Sequence, residues 1–522
     1  MAQTRRQFLE RLGRGAGAAM TYEAMAAMGM MAVPARSSAA FELRGQAAGT
    51  QIVVLGAGLA GMSTAYELIK VGYDVRVLEA RTRPGGRCHT IRGGTVSEEE
   101  HAPATVCAFD EGLYYNPGPM RIPHHHTTTL GYCRELGVPV EVFVNDNEAA
   151  FFYQTKSSTL AGRRLRGREV RADLGGYAAE LLAKAMPGIE LDDPLTAADR
   201  EALMAYLARE GALQQSRYAG SARRGYDKAP GVDTGTPSRP LPLGDLLGSG
   251  TGAYLQTEYL QQAPMFQVVG GTDRLAAGFA AKLGDRITYG ADVREIRQKS
   301  HGVEIAYVKD GAPATVTAQY GVCAMPLNIL CTLPVVDLDA HLKAQFADIA
   351  YSATGKIGLQ FRRRFWEEDD QIFGGISRTD QDITQIVYPS HGYLGGKGVL
   401  IGYYQSGARA GETGGRTFAE RQKMALEQGT LLHPQYAGDF ENAFSVSWQN
   451  VKYNKGGWAQ MTPAVREKVS PRLLEADGRI YFAGDHCSYL TAWMAGALES
   501  GRHVATSLHE RAQQDATTRA VA

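Results

Sequence analysis

The chain has 522 residues, too many for one ordinary domain, and two or three are expected at roughly 100–200 residues each. Hydrophobic residues make up 44%, enough for a large core, while Lys+Arg and Asp+Glu both number 55, so no field of one sign recruits nucleic acid or an anionic membrane and neither partner is expected. The six cysteines (Cys88, Cys107, Cys133, Cys323, Cys331 and Cys487) form neither a CxxC pair nor a zinc spacing, which excludes a disulfide scaffold and leaves no metal site expected.

The first forty residues read as a targeting segment and are set apart from the fold. Thr4-Arg5-Arg6-Gln7-Phe8-Leu9 looks like a twin-arginine export signal, Ala/Met/Gly-rich sequence follows to Val33, and Ser38-Ala39-Ala40 offers small residues for cleavage. The expectation is export through the twin-arginine route, periplasmic or secreted, a route suited to cargo folded around a ligand; the alternative is an uncleaved tail on a cytoplasmic protein. No other segment approaches 18 uninterrupted apolar residues, so no stable membrane insertion is expected.

Gln51–Leu55 (QIVVL) reads as a buried parallel strand, Ala60–Val71 as an amphipathic helix and Asp74–Leu78 as a second strand: a βαβ start. From 163 to 255 the character changes. Asp199–Leu213 places Leu203, Tyr206, Leu207 and Leu213 near helical spacing, Ala179–Ala185 is similar, and Pro, Gly and Ser crowd Pro230–Gly252. This is a helical insert with a long loop, and the arginines at 163, 164, 166, 168 and 171 read as its solvated face. Strand patterns return at Ile287–Ile296, Val303–Val308 and Gly321–Ala324; Lys356–Phe361 and Ile383–Tyr404 alternate as a mostly antiparallel sheet. Arg479–Ala483 is a strand, and a final helix runs from about Met494 to Ala512.

Between the first strand and helix, Gly56, Gly58 and Gly61 form GxGxxG. Gly56 permits the tight turn, Gly58 lets the backbone approach a pyrophosphate, and Gly61 lets helix and strand pack closely. The phosphates then rest at the helix N-terminus, beside Ala60. Glu79 ends the second strand, where a carboxylate accepts hydrogen bonds from ribose hydroxyls and repels a 2′-phosphate, which disfavours NADP. An NAD-binding enzyme is the plain alternative.

Glu79-Ala80-Arg81 followed by Gly85-Gly86-Arg87 resembles the flavin amine oxidase superfamily, which includes monoamine, polyamine and L-amino acid oxidases. Phe266–Arg274 and Arg479–Asp485 resemble that family's central and C-terminal flavin segments, and the resemblance covers roughly residues 48–510. It implies an α/β protein: a discontinuous Rossmann-type FAD-binding domain (45–95, 265–335, 465–513), a mixed or antiparallel-sheet substrate domain (96–160, 255–264, 336–464), a helical insert (161–254) and a disordered tail (514–522). It implies FAD as cofactor, with Gly56, Gly58, Ala60, Gly61, Glu79, Ala80, Arg81, Gly86, Arg87, Met120, Arg121, Val293, Gly484, Asp485, Trp493 and Met494 contacting it. Gly456-Gly457-Trp458 stands where some members carry a tethering cysteine, so the FAD is expected to be non-covalent.

Tyr115-Asn-Pro-Gly-Pro-Met-Arg121 resembles the Gly-Pro-Met-Arg segment of L-amino acid oxidases, whose arginine holds the substrate α-carboxylate. A planar, permanently charged guanidinium suits that task. The resemblance further gives Tyr388 as a support for the carboxylate, the Ala492 carbonyl as acceptor for the amine, Trp458 and Trp493 as pocket walls, and Lys356 as the lysine that holds a water against flavin N5. Tyr388 is equally well a tyrosine packed inside its sheet. Tyr403, Tyr404 and Trp458 hint at bulky or aromatic substrates, and Ala459 and Trp493 stand where amine oxidases often place two caging tyrosines. His124-His125-His126 reads as structural or pocket-lining, because consecutive side chains diverge. The implied reaction is oxidative deamination of an L-amino acid by hydride transfer from Cα to flavin N5, with O2 as acceptor and a homodimer as the expected assembly. An amide-forming amino-acid monooxygenase, an amine or polyamine oxidase, and a non-catalytic flavin-binding module remain alternatives.

Overall fold

The computed structural model describes residues 41–521 except 47–48, 101, 157–158, 187–195 and 251–258. The twin-arginine-like segment therefore lies outside the described residues. The chain divides into two units, 1–46 and 47–522. In the first, the described residues 41–46 hold neither helix nor strand. Everything below concerns the second.

Its nucleotide-binding layer is a five-stranded parallel sheet in the order Ile480–Phe482, Tyr320–Cys323, Gln51–Leu55, Asp74–Glu79, Ile287–Tyr289. The strands come from distant parts of the chain, so the discontinuous reading is right. The β-branched run Ile52-Val53-Val54 is fully buried, as a central parallel strand requires. Helix Leu59–Lys70 follows the glycine turn and packs on the last helix, Met494–Val521. Their contact is close at Gly501, where an added Cβ would come within 2.2 Å of Ser63 Oγ. That last helix continues to Val521, so the expected disordered tail from 514 is helical; Asp515 anchors it by accepting from Arg479 and Tyr320 at 2.6 Å each.

The second layer is a seven-stranded, mostly antiparallel sheet in the order Phe440–Ser447, Thr354–Phe361, Gly398–Ser406, Gln385–Val387, Ile376–Thr379, Phe151–Tyr153, Arg164–Arg166. One face buries Leu359, Phe361, Ile386 and Tyr403 against helix Phe418–Leu432. The other buries Ile376, Val387 and Ile401 against Ile91, Tyr115 and Met120. The region 383–404, expected to belong to a mostly antiparallel sheet, supplies two of its strands, separated by a loop, 388–397, that is rich in glycine.

Two boundaries move. Strand Arg164–Arg166 belongs to the substrate sheet, so the insert begins with helix Gly167–Ala185. The arginines there are not simply a solvated face. Arg166 donates to the carbonyls of Ala149 at 2.6 Å and Asp370 at 2.8 Å and stacks on Phe151. The nucleotide-domain core also extends past 335, because Leu342, Phe346 and Ile349 pack with Val53, Leu55 and Phe482. In the insert, helix Ala197–Glu210 buries Leu207 but leaves Tyr206 exposed. The insert is locked by a buried Asp173–Arg224 ion pair, with Tyr218 donating to Asp173 at 2.7 Å. All six cysteines are free thiols. No helix among the described residues is long and apolar enough to cross a membrane, and no group of three or more potential metal ligands occurs among them.

Candidate active site

A cavity of about 440 Å³ runs from the glycine turn to the substrate sheet. At its nucleotide end, Gly56 turns with φ +110°, a conformation L side chains rarely adopt. A Cβ on Gly58 would meet nothing within 4 Å, whereas one on Gly61 would strike the Gly56 carbonyl at 2.1 Å. Gly58 therefore leaves open space for a ligand, and Gly61 packs the helix on the strand. Gly61 accordingly does not line the cavity, while Gly56, Gly58 and Ala60 do.

Glu79 is buried at the tip of its strand. One oxygen accepts from the Ala57 N–H at 2.7 Å and the other from the Arg81 N–H at 2.9 Å. Each keeps a lone pair for a ribose hydroxyl. Arg81 and Arg83 converge on Glu98. Burial would raise Glu98, but the two guanidiniums hold it down to about 2. This network stiffens the turn that carries Gly85, Gly86 and Arg87. Arg87 donates to the Gly457 carbonyl at 2.6 Å and pairs with Asp485. Burial pushes the Asp485 carboxyl up, and Arg87 with the Ala492 N–H (3.0 Å) more than reverses it. One ion pair thus ties three chain segments around the cavity. Ala80, Val293, Gly484, Trp493 and Met494 all line it, with Met494 opening the last helix. An open cradle at Gly58, a buried acid at 79 and a helix N-terminus together fit a dinucleotide such as FAD.

Met120 departs from expectation. Its side chain packs into the core with Tyr115 and Ile376, and Pro117, Gly118 and Pro119 form the wall instead.

At the sheet end, Lys356 is buried and donates to the backbone carbonyls of Gly118 at 2.6 Å and Asn116 at 3.2 Å. Burial, with the nearby charge of Arg121, holds its ammonium well below the ordinary lysine range. Its nitrogen sits 4.3 Å from the centroid of Tyr404. Arg121 lies beside this pair rather than on the cavity wall itself. It donates to Asn145 Oδ1 at 2.7 Å and has no carboxylate partner among the described residues. Burial lowers it, and the neighbouring charge of Arg378 adds to the effect.

Tyr388 is not in the site. Its hydroxyl bonds Ser377 Oγ at 2.7 Å and His433 Nε2 at 2.6 Å, and His433 in turn bonds Asp370. The reason is strand parity: Val387 faces the cavity side of the sheet, so Tyr388 faces the opposite core. Tyr403 likewise points into that core, bonding Ser445. Tyr404 is the tyrosine at the cavity. The signal that finds it is register, because Tyr404 pairs directly with Lys356 across antiparallel strands and so shares its face.

Trp458 and Trp493 line the cavity, and Trp448, which sequence reasoning missed, joins them. Three of the chain's four tryptophans thus wall one space. Ala492 lines it with φ +69°, a strained conformation for alanine that the Asp485 hydrogen bond helps to hold. His126 is buried edge-on against Trp493, and His125 packs on Tyr259. The expectation that this histidine run is structural or pocket-lining agrees with these contacts.

Residues 59–509 match the flavin containing amine oxidoreductase family. Among curated relatives, an L-amino-acid oxidase of Bothrops jararacussu is 27% identical over 86% of this chain and 88% of its own. A putative L-amino-acid oxidase of Bacillus subtilis is also 27% identical, over 87% of this chain and 93% of its own. Among solved structures, the cyclohexylamine oxidase of Brevibacterium oxydans superposes with a TM-score of 0.60 at 18% identity, covering 89% of this chain and 99% of that one. A putrescine oxidase variant gives 0.61 at 16% identity over 88% and 99%. At these identities the solved structures establish the fold alone.

Proposed function

The chain belongs to the flavin-containing amine oxidoreductase family, and within it we propose that it deaminates L-amino acids oxidatively to the 2-oxo acid, ammonia and hydrogen peroxide. One observation carries the reading: the partly buried Arg121 guanidinium, bonded to Asn145, has no carboxylate partner among the described residues. A cation partly withdrawn from water without an anion is costly, and a substrate carboxylate is the group that relieves it. The relatives named L-amino-acid oxidases, matched over nearly their whole length, support the same reading.

FAD, when bound, supplies the hydride acceptor and the means of reducing dioxygen. The protein's part is placement. Arg121 takes the carboxylate, and Tyr404, replacing Tyr388 in this role, adds its hydroxyl from the cavity wall. The carbonyl of Ala492 receives the amine, which must be neutral to release the Cα hydrogen as hydride. Lys356, kept weakly basic by burial, orders water at the reacting end. Trp458 and Trp493 bound the side-chain pocket and exclude solvent.

Non-covalent attachment of the cofactor is supported by Trp458 at the tethering position. Cys88 does line the cavity, but burial pushes its thiol up to about 12, which keeps it protonated and unreactive.

A peroxide assay across the L-amino acids, with D-enantiomers as controls, tests the proposal. Turnover of L-forms with stoichiometric 2-oxo acid is the expected result. Amide in place of 2-oxo acid would make the enzyme a monooxygenase. Turnover confined to amines without a carboxylate would make it an amine oxidase.

A further inference from the structure

The short 3-10 turn Asp485–Cys487 carries a histidine that neither the flavin reading nor the substrate reading uses. His486 is 2% exposed and lines the same cavity as Gly58 and Asp485. Both of its ring nitrogens are buried and lack a hydrogen-bond partner among the described residues. The ring lies over Gly484, where an added Cβ would come within 2.2 Å of its Cε1 atom, so the absence of a side chain at 484 makes room for it. The neighbouring carboxylate of Asp485 is already committed to Arg87 and the Ala492 N–H.

Buried imidazoles ordinarily satisfy at least one nitrogen, and an orphan on a cavity wall marks the place where a ligand completes the set. We propose that His486 is a ligand of the bound FAD, hydrogen-bonding it through an imidazole nitrogen. Burial keeps this ring neutral, lowered to about 4, so it presents one donor and one acceptor rather than a charge. A neutral group placed beside the committed Arg87–Asp485 pair adds recognition without adding a charge. The contact concerns the cofactor and stands whichever amine-containing substrate the enzyme oxidises.

The test is binding, not turnover. Apoprotein stripped of FAD is titrated with FAD, and the dissociation constant is read from the change in flavin fluorescence. His486→Leu, which keeps bulk and removes both nitrogens, is expected to weaken FAD by about 5- to 10-fold, the worth of one neutral hydrogen bond. His486→Gln, which retains a donor and an acceptor, is expected to recover most of that loss. Parallel titration with ADP locates the contact: equal weakening of ADP assigns it to the diphosphate half, and unchanged ADP affinity assigns it to the flavin-ribityl half. A leucine variant that melts like the wild-type apoprotein yet binds FAD unchanged overturns the proposal, as does a glutamine variant no better than leucine. Should leucine prevent folding, His486→Met is the substitute and the same two results decide.

Discussion

Replacing Arg121 by alanine separates an amino-acid oxidase from an amine oxidase. The guanidinium is partly buried, donates to Asn145 Oδ1 at 2.7 Å, and is next to Lys356 and Tyr404, with no carboxylate partner among the described residues. With a substrate carboxylate in place it completes a charge pair; without it that carboxylate is buried alone. Breaking such a pair costs about 3–5 kcal/mol. At 1.36 kcal/mol per tenfold, kcat/KM for an L-amino acid should fall by about 150- to 5,000-fold. Lysine at the same position keeps the charge but loses the fork, and should recover only part. The free protein should behave differently: removing a partly buried cation that has no carboxylate partner among the described residues relieves a desolvation cost, so the melting temperature of the substrate-free variant should hold or rise. The assay is steady-state peroxide formation with an L-amino acid and with the amine that corresponds to it minus the carboxylate. An arginine variant that loses nothing on the amino acid, or loses equally on both substrates, refutes the carboxylate assignment.

Other substitutions divide roles that sequence motifs merge. Gly58→Ala adds its Cβ to open space at the cavity, so the apoprotein should fold with a melting temperature close to wild type while binding FAD more weakly; Gly61→Ala, whose Cβ meets a backbone oxygen at 2.1 Å, should destabilise the fold itself. Thermal melts with and without FAD distinguish them. Tyr388→Phe leaves His433 Nε2 unsatisfied and should cost stability by about 1–3 kcal/mol in denaturant titration, with kcat/KM within about threefold. Tyr404→Phe should do the reverse, raising KM for amino acids with little change in stability. The depressed ammonium of Lys356 binds its proton more weakly in the folded than in the unfolded chain. The unfolded state therefore holds more protons at pH values between the two, and wild-type stability relative to Lys356→Met should rise with pH until it levels off near 10.5. A stability difference independent of pH would show that Lys356 is not so perturbed.

The cofactor half of the site was legible because its residues are set by local backbone requirements. A tight turn, a close approach and an acid at a strand tip leave fixed spacings, and Gly56, Gly58 and Glu79 stand where those spacings put them. The substrate half depends on which face of a sheet each side chain occupies, and one residue reverses it. Tyr388 and Tyr404 illustrate this: both sit in apolar, strand-like sequence, and only pairing register decides that the second faces Lys356. Met120 fails for a related reason, since its backbone segment borders the cavity while its side chain turns into the core. Arg166 shows that a cluster of arginines in sequence is not a surface in space; packing beside a strand converted it into a clamp on two carbonyls. His486 carries no spacing that would single it out, and only its place on the cavity wall shows it.

The parallel sheet has a consequence for how the protein is made. Strand Tyr320–Cys323 pairs on one side with Gln51–Leu55 and on the other with Ile480–Phe482. Roughly 160 residues separate that last pair, so at about 5–20 residues per second the ribosome leaves one edge of the sheet unpaired for about 8–30 seconds. Asp485, the partner of Arg87, arrives later still. The cofactor pocket is therefore a product of the finished chain rather than of its first domain. A nascent protein spends its synthesis with an apolar strand edge that other chains can pair with, and truncation anywhere before 480 leaves that edge permanently open.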